Sequence, residues 1–230
     1  MKIKFLGHSA FLIEACHATI LIDPYLTGNP LAPVKADELR VDYIVLTHAH
    51  GDHLGDTLQI AKHSGATVIC VAELAGWLRK QGIKTHAMQI GGAFRFPWGR
   101  VKLYTALHGS QTPDGSYAGL AAGVVMELDD KTLYHSGDTG LFGDMRLIGE
   151  LHALDLAMLP IGGNYTMDIE DALLAVKILQ PKLTIPMHYN TFPLIECDPQ
   201  IFVDKANELG YEVRIMTAGE VLALPTERSE

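Results

Sequence analysis

The sequence contains few cysteines and lacks long apolar segments. Three cysteines occur in 230 residues, at positions 16, 70 and 197, and none forms a CxxC pair. An odd number of separated thiols is typical of a reducing compartment. No apolar segment approaches the roughly 20 residues that a membrane-spanning helix needs, and the N-terminus lacks a basic segment followed by an apolar one. The sequence therefore predicts a cytoplasmic protein that does not enter a membrane.

Positive charge is also scarce. Eighteen lysines and arginines stand against 27 aspartates and glutamates, which gives a formal net charge of −9, and no run of basic residues occurs. Because binding to a phosphate backbone normally draws on clustered positive charge, a nucleic-acid partner is disfavoured. A small anionic substrate stays compatible with this charge, since bound metal ions can reverse the local field.

The composition that remains is that of a globular protein. Hydrophobic residues make up 48% of the chain and charged residues 20%, as in folded soluble domains. No linker or low-complexity tract divides the chain, and its length suffices for a substantial core. We therefore predict one domain over residues 1–230, and we leave open whether it forms a homo-oligomer.

Short β-rich segments alternate with helical patterns along the chain, which predicts a mixed α/β fold. Residues 24–40, rich in proline, glycine and asparagine, are predicted to form a loop. The predicted strands are 2–6, 10–14, 18–23, 41–47, 66–71, 122–128, 132–135, 156–160, 183–186, 213–216 and 221–224, with a hairpin over 94–107. The predicted helices are 54–63, 73–81, 169–179 with Asp168 as N-cap, and 199–209.

The densest group of chemically active residues follows the apolar segment 41–47. Within six positions lie His48, His50, Asp52 and His53. Residues two positions apart can point toward a common centre, while the next Asp-His pair can turn toward a second one. Imidazole and carboxylate together suit zinc, manganese or iron. Because four residues cannot complete two coordination shells, further ligands are expected downstream, and the candidates are His108, Asp138 and His188.

These motifs resemble those of the metallo-β-lactamase superfamily. Within it, the segments 135–142 (HSGDTGLF) and 186–192 (PMHYNTF) are most similar to a group of small metal-dependent hydrolases related to ascorbate-phosphate lactonase. The resemblance extends over essentially the whole chain. It implies a four-layer αββα sandwich, with two sheets face to face and helices outside.

The resemblance also implies a site for two divalent metal ions. It assigns His48, His50 and His108 to the first ion, Asp52, His53 and His188 to the second, and Asp138 to a position between them. Zinc is preferred, and manganese and iron remain open because imidazole and carboxylate accept all three. Two such ions can activate a shared water for hydrolysis.

Five further residues are candidates for supporting roles. Asp23 ends a β-segment and matches an aspartate that orients a ligating imidazole. In the lactonase-like group a histidine at the position of His8 lies near the site, where it could contact substrate or move a proton, and the alternative is a surface histidine. Asn164, Tyr165 and Asn190 follow predicted strands and are candidate substrate-binding groups.

The leading hypothesis is a hydrolase that uses a metal-bridging hydroxide on a small anionic ester, either a phosphodiester or a lactone. Asp52, Asp138 and His8 are the candidate catalytic residues. One alternative is a ribonuclease-type phosphodiesterase, which requires a basic groove. The other is a non-catalytic metal-binding protein, which predicts a filled site closed to solvent.

Overall fold

Two β-sheets form the centre of the molecule in a computed structural model that describes residues 1–225. The strands are β1 (Lys2–Phe5), β2 (Phe11–Glu14), β3 (Thr19–Ile22), β4 (Tyr43–Val45), β5 (Thr67–Val71), β6 (Thr85–Met88), β7 (Ala93–Phe96), β8 (Gly99–Thr105), β9 (Ala122–Leu128), β10 (Lys131–His135), β11 (Leu156–Pro160), β12 (Thr184–Met187) and β13 (Val221–Ala223). Within these residues one sheet has the order β13-β1-β2-β3-β4-β5-β6 and the other β12-β11-β10-β9-β8-β7.

Helices cover the outer face of each sheet. They are α1 (Gly51–Leu54), α2 (Thr57–Ser64), α3 (Ala72–Lys80), α4 (Met145–Leu151), α5 (Ile169–Leu179) and α6 (Pro199–Glu208). Helices α2 and α3 contact strands of the first sheet, and the apolar side chains of α4, α5 and α6 pack in one cluster with the second sheet. None of the helices within residues 1–225 is long and apolar enough to cross a membrane.

Buried apolar side chains form two cores, and alternate residues of a strand belong to different cores. In β9, Val124 and Met126 belong to the large core that both sheets share, while Val125 belongs to the smaller core beneath the helices. Leu133 and Tyr134 of β10 divide in the same way. Successive side chains of a strand point to opposite faces, so a sheet that is buried on both sides must be apolar throughout. The result is the four-layer αββα sandwich that the family resemblance implied.

Local differences from the predicted elements have identifiable causes. The predicted helix 54–63 begins later, at Thr57 as α2, and Leu54 instead ends the short helix α1, because Gly55 between them has a φ of +41°. A Cβ at this position would collide with the carbonyl oxygen of Pro24. The predicted strand 213–216 is wrong: in the described part of the chain only an isolated bridge joins Val213 to Thr184. The short elements β6 and α4 were not predicted.

The topology brings the carboxyl ends of several strands to one edge of the sandwich. Strands β3, β4, β5 and β6 run parallel, as do β10, β11 and β12. In the sequence, Asp23 follows β3, His48 follows β4, Asp138 follows β10 and His188 follows β12. Because carboxyl ends of parallel strands lie at the same edge, this connectivity gathers residues that are far apart in the chain.

Candidate metal centre

A cleft of about 240 Å³ lies at this edge. Its lining consists of His50, Asp52, His108, Asp138, Tyr165 and His188. Five of these six residues belong to the predicted set of metal ligands, and the sixth is a predicted substrate contact. The structure therefore places the predicted ligands and one predicted substrate group around a common space.

Three imidazoles form the first candidate metal position. His48 Nε2 lies 3.1 Å from His50 Nδ1, and His108 Nε2 lies 3.2 Å from the same atom. One nitrogen from each ring falls within a single group whose atoms lie within 4.8 Å of one another. Lone pairs converging at these distances repel each other unless a proton or a cation lies between them. The donor set therefore fits a cation that accepts imidazole ligands.

A second group lies beside the first. It combines Asp52, His53 and His188 with His8, again with one donor atom each within 4.8 Å. His188 Nε2 lies 3.7 Å from Asp52 Oδ2. Among the described residues, both nitrogens of His188 and Nε2 of His53 are buried and form no hydrogen bond of normal geometry, although each Nε2 faces an oxygen of Asp138. Buried polar atoms are normally paired, so these unpaired nitrogens also fit a bound cation.

Asp138 lies between the two groups. Its Oδ2 lies 3.0 Å from His188 Nε2 and 3.6 Å from His108 Nε2, and its Oδ1 lies 3.1 Å from His53 Nε2. The carboxylate is buried, and within residues 1–225 the contact of Oδ1 with His53 lacks the geometry of a hydrogen bond. One carboxylate thus faces nitrogens of both groups, as a bridging ligand requires.

The buried charges shift the pKa values of these groups in opposite directions. Burial by itself would lower the pKa of His53, but the carboxylates of Asp138 and Asp23 raise it well above its usual range. Burial would raise the pKa of Asp138, and His53 and His188 hold it well below its usual range. Burial together with the neighbouring His53 lowers the pKa of His48. The site is therefore a strongly coupled group of charges, of the kind found at functional sites.

Asp23 lies behind the second group, as predicted for an orienting residue. It is fully buried, and its carboxylate accepts hydrogen bonds from the backbone N–H and the hydroxyl of Thr47, at 2.9 and 2.6 Å. Its Oδ2 also lies 2.7 Å from His53 Nδ1. This contact directs the opposite nitrogen, Nε2, toward Asp138. Thr47 was missed from the sequence because a threonine at the end of a strand has an ordinary structural setting.

His8 is buried, so the alternative of a surface histidine is wrong. Its Nε2 lies 3.2 Å from Asp52 Oδ2, and its Nδ1 lies 2.5 Å from the hydroxyl oxygen of Thr191. Burial lowers the pKa of His8 to about 4, against the opposing effect of the bond with Asp52. The imidazole is therefore neutral at neutral pH. Its contact with Thr191 has no local sequence signal, because the two residues are 183 positions apart.

The three predicted substrate contacts divide between different surfaces. Tyr165 lines the central cleft and is 51% exposed. Asn164 is exposed but does not belong to the cleft lining. Asn190 lines a separate cleft, and its side-chain oxygen accepts a hydrogen bond from the backbone N–H of Cys197 at 2.8 Å. The geometry thus favours Tyr165 alone as a substrate contact in the cleft.

A buried histidine outside both groups holds two loops of the site together. His135 Nε2 lies 3.0 Å from the carbonyl oxygen of Ser9, and its Nδ1 accepts a hydrogen bond from the backbone N–H of Gly137 at 3.1 Å. One neutral tautomer satisfies both contacts, with the proton on Nε2. His135 therefore connects the loop of His8 with the loop of Asp138.

Comparison with known proteins gives consistent similarities. The family described as "Beta-lactamase superfamily domain" matches residues 18–189. A protein of Carboxydothermus hydrogenoformans, named UPF0173 metal-dependent hydrolase, is 50% identical over 226 residues, covering 97% of this chain and all of the relative. A protein of the same name from Bacillus cereus is also 50% identical, with the same coverage. The solved structure of Igni18, a metallo hydrolase from Ignicoccus hospitalis, superposes with a TM-score of 0.91 at 41% identity, covering 97% of this chain and 98% of that one.

Proposed function

The chain belongs to the β-lactamase superfamily and is a metal-dependent hydrolase, and we propose that it cleaves a small ester at a site for two divalent ions. His48, His50 and His108 would hold one ion, and Asp52, His53 and His188 the other. The observation that carries this proposal is the position of Asp138, whose two carboxylate oxygens face nitrogens of both groups. Zinc is the preferred ion, with manganese and iron as alternatives.

Divalent ions held by these residues would activate a water for attack and stabilise the negative charge that develops on the ester. The protein's own residues would supply orientation and proton transfer. Asp23 fixes the ring of His53 through the 2.7 Å contact with Nδ1. Asp52 is 26% exposed at the cleft, where its carboxylate can accept a proton during attack and return it to the leaving group. Tyr165 would contact the substrate at the rim.

The lining of the cleft limits the substrate. Among residues 1–225, no lysine or arginine lines it, so no cationic side chain is available to neutralise an extended row of phosphates. A volume of about 240 Å³ admits only a small reacting group. These features support a lactone or a phosphodiester with at most one negative charge. They count against a ribonuclease, which needs a basic surface along the nucleic acid.

A non-catalytic metal site is the alternative from a different class. Such a site would be closed to solvent and filled by protein ligands, as structural zinc sites normally are. Here Asp52 is 26% exposed and Tyr165 is 51% exposed at the same cleft. An open position beside the candidate ligands supports catalysis, because a substrate needs access to the metal.

The test is hydrolysis by protein that has been stripped and reloaded with zinc or manganese. The substrates are a chromogenic phosphodiester and an aryl-substituted lactone, and metal content is measured on the same samples. We expect turnover with two ions per chain, and Asp138→Asn to lower kcat at least about 100-fold, since one bridging ligand serves both ions. Asp144→Asn is the matched control, because Asp144 is exposed and its side chain makes no capping bond to α4.

Either of two results would contradict the proposal. One is an unchanged rate in Asp138→Asn. The other is full activity of the wild-type protein with one ion per chain. Turnover of the phosphodiester but not the lactone would point to nucleotide-like substrates, and the reverse to carboxylic esters.

A further inference from the structure

We propose that Thr191 and His8 form a buried hydrogen-bonded pair that positions Asp52, which makes Thr191 a positioning residue of the hydrolytic site. In this arrangement His8 acts through Asp52 and does not touch the substrate. The inference rests on the proposed function, because it assigns the residues behind the carboxylate that faces the cleft. The sequence had instead suggested a direct catalytic role for His8.

His8 is more deeply buried than Asp52. The side chain of His8 has no exposed surface, whereas that of Asp52 is 26% exposed. Asp52 lines the cleft and His8 does not. A substrate in the cleft therefore meets the Asp52 carboxylate, with the imidazole behind it.

The hydrogen bonds of the pair run in one direction, from Thr191 through His8 to Asp52. Thr191 Oγ1 lies 2.5 Å from His8 Nδ1, and within residues 1–225 it has no other protein partner. The hydroxyl of Thr191 therefore donates to Nδ1. Because Nδ1 is then an acceptor, the ring proton lies on Nε2. Nε2–H then donates to Asp52 Oδ2 at 3.2 Å. Each proton in the chain from Thr191 to Asp52 has an acceptor, and Asp52 Oδ1 is not used by this pair.

Aromatic packing fixes the orientation of the His8 ring. The imidazole of His8 lies against the rings of Tyr25, Phe192 and His188, with centroids at 5.6, 5.4 and 4.1 Å. The backbone N–H of His188 donates to the carbonyl oxygen of His8 at 2.9 Å. The loop after β12 therefore supplies a candidate metal ligand, the hydroxyl partner and one wall of the ring's pocket within five residues, 188–192.

A competing role for His8 would be direct coordination of a metal ion. Its Nε2 lies in the same group of donors as Asp52, His53 and His188. Coordination requires a lone pair on Nε2, so the ring proton would be on Nδ1 and Thr191 would accept it. The two roles therefore differ in the tautomer of one ring, which can be measured independently of activity.

The first experiment determines this tautomer in zinc-loaded protein with ¹⁵N-labelled histidine. Two-bond ¹H–¹⁵N correlations are recorded, and His8→Gln identifies the His8 signals. We expect Nε2 at a protonated-nitrogen shift and Nδ1 at the shift of a hydrogen-bond acceptor. A proton on Nδ1 together with a metal-bound shift for Nε2 would overturn the proposal.

The second experiment compares Thr191→Val with Thr191→Ser. Valine keeps the shape and removes the hydroxyl, while serine restores the hydroxyl. We expect Thr191→Val to lower kcat about 10-fold with two ions still bound and KM little changed, and Thr191→Ser to recover most of kcat. Loss of an ion in Thr191→Val, or no recovery by Thr191→Ser, would overturn the positioning role. If the wild-type protein hydrolyses no ester, the proposed function fails, while the tautomer measurement still tests the pair.

Discussion

At the residue scale, several side chains of the site depend on unusual backbone conformations. His8, Asp23 and His188 have φ values of +57°, +42° and +55°. Left-handed conformations of non-glycine residues cost about 1–3 kcal/mol each and persist only where the surroundings impose them. In this protein the hydrogen bonds and buried contacts of the site impose these conformations. They lower the folding stability and keep the side chains around the cleft in place.

Gly162 is predicted to be essential for the position of His188. A Cβ at residue 162 would collide with the carbonyl oxygen of His188 and lie 2.8 Å from Ile195 Cβ. We expect Gly162→Ala to displace His188 and to weaken binding of one metal ion at least about 10-fold. Metal titration by calorimetry measures this effect. Gly143→Ala is the control, because a Cβ there meets no atom within 4 Å; equal affinities in the two variants would refute the prediction.

Asp23 should control metal affinity without touching the metal. Asp23→Asn keeps the size of the side chain but replaces one carboxylate oxygen with an NH₂ group. Of the two oxygens, Oδ1 accepts from the backbone N–H of Thr47, while Oδ2 accepts from its hydroxyl and faces His53 Nδ1. Partners of ligating histidines typically contribute about 10–100-fold to metal affinity or activity, and we expect a loss in this range. Competition with a chromogenic chelator measures it. Asp42→Asn is a useful comparison, since Asp42 bonds a backbone N–H at the surface and should leave affinity unchanged.

At the element scale, the helix after the Tyr165 loop begins at a well-defined cap. Asp168 accepts a hydrogen bond from the backbone N–H of Asp171 at 2.9 Å, as the N-cap of α5. Helix α5 buries Ala172, Leu173 and Val176 in the smaller core. The cap therefore links the rim of the cleft to the packing of the second sheet.

Removing this cap should lower stability by a modest amount. We expect Asp168→Ala to reduce the free energy of unfolding by about 1 kcal/mol, because an N-cap side chain satisfies an otherwise unpaired N–H. Asp168→Asn retains an acceptor and should lose at most a few tenths. Urea denaturation monitored by circular dichroism gives both values. Similar losses in both variants would mean that charge, and not the hydrogen bond, provides the stabilisation.

At the scale of the whole molecule, the candidate metal site lies between the edges of the two sheets. Asp23 and His48 follow strands of the first sheet, while Asp138 and His188 follow strands of the second. Without a cation, the buried imidazoles and carboxylates leave several polar atoms unpaired among the described residues. Bound ions would satisfy these atoms and hold the edges of both sheets together.

Metal removal should therefore lower the melting temperature substantially. A ligand that binds only the folded state at about 1,000 times its Kd stabilises by about 4 kcal/mol. For a chain of this size that corresponds to roughly 10 °C. Calorimetric scans of stripped and zinc-loaded protein measure the difference, and Asp138→Asn should show a smaller one. A melting temperature independent of metal would contradict a site that bridges the sheets.

Local sequence patterns predicted most of the elements and the residue types of the candidate site. The alternation of apolar residues marked most of the strands, and the dense group from His48 to His53 indicated metal, because both patterns are local. Local patterns failed where a contact outside the segment decided the outcome. The predicted helix 54–63 began only at Thr57, since Gly55 packs against Pro24. Within residues 1–225, the predicted strand 213–216 made only an isolated bridge.

Tertiary contacts were needed to tell which residues lie behind the candidate site and which line the cleft. Asn164, Tyr165 and Asn190 have similar settings in the sequence, yet only Tyr165 lines the cleft. His8 and Thr191 meet across 183 positions of the chain, a contact that leaves no periodicity or motif at either end. Such pairs depend on the order of the strands and the path of the loops between them. These features follow from the packing of the whole chain, so they become visible only after it has folded.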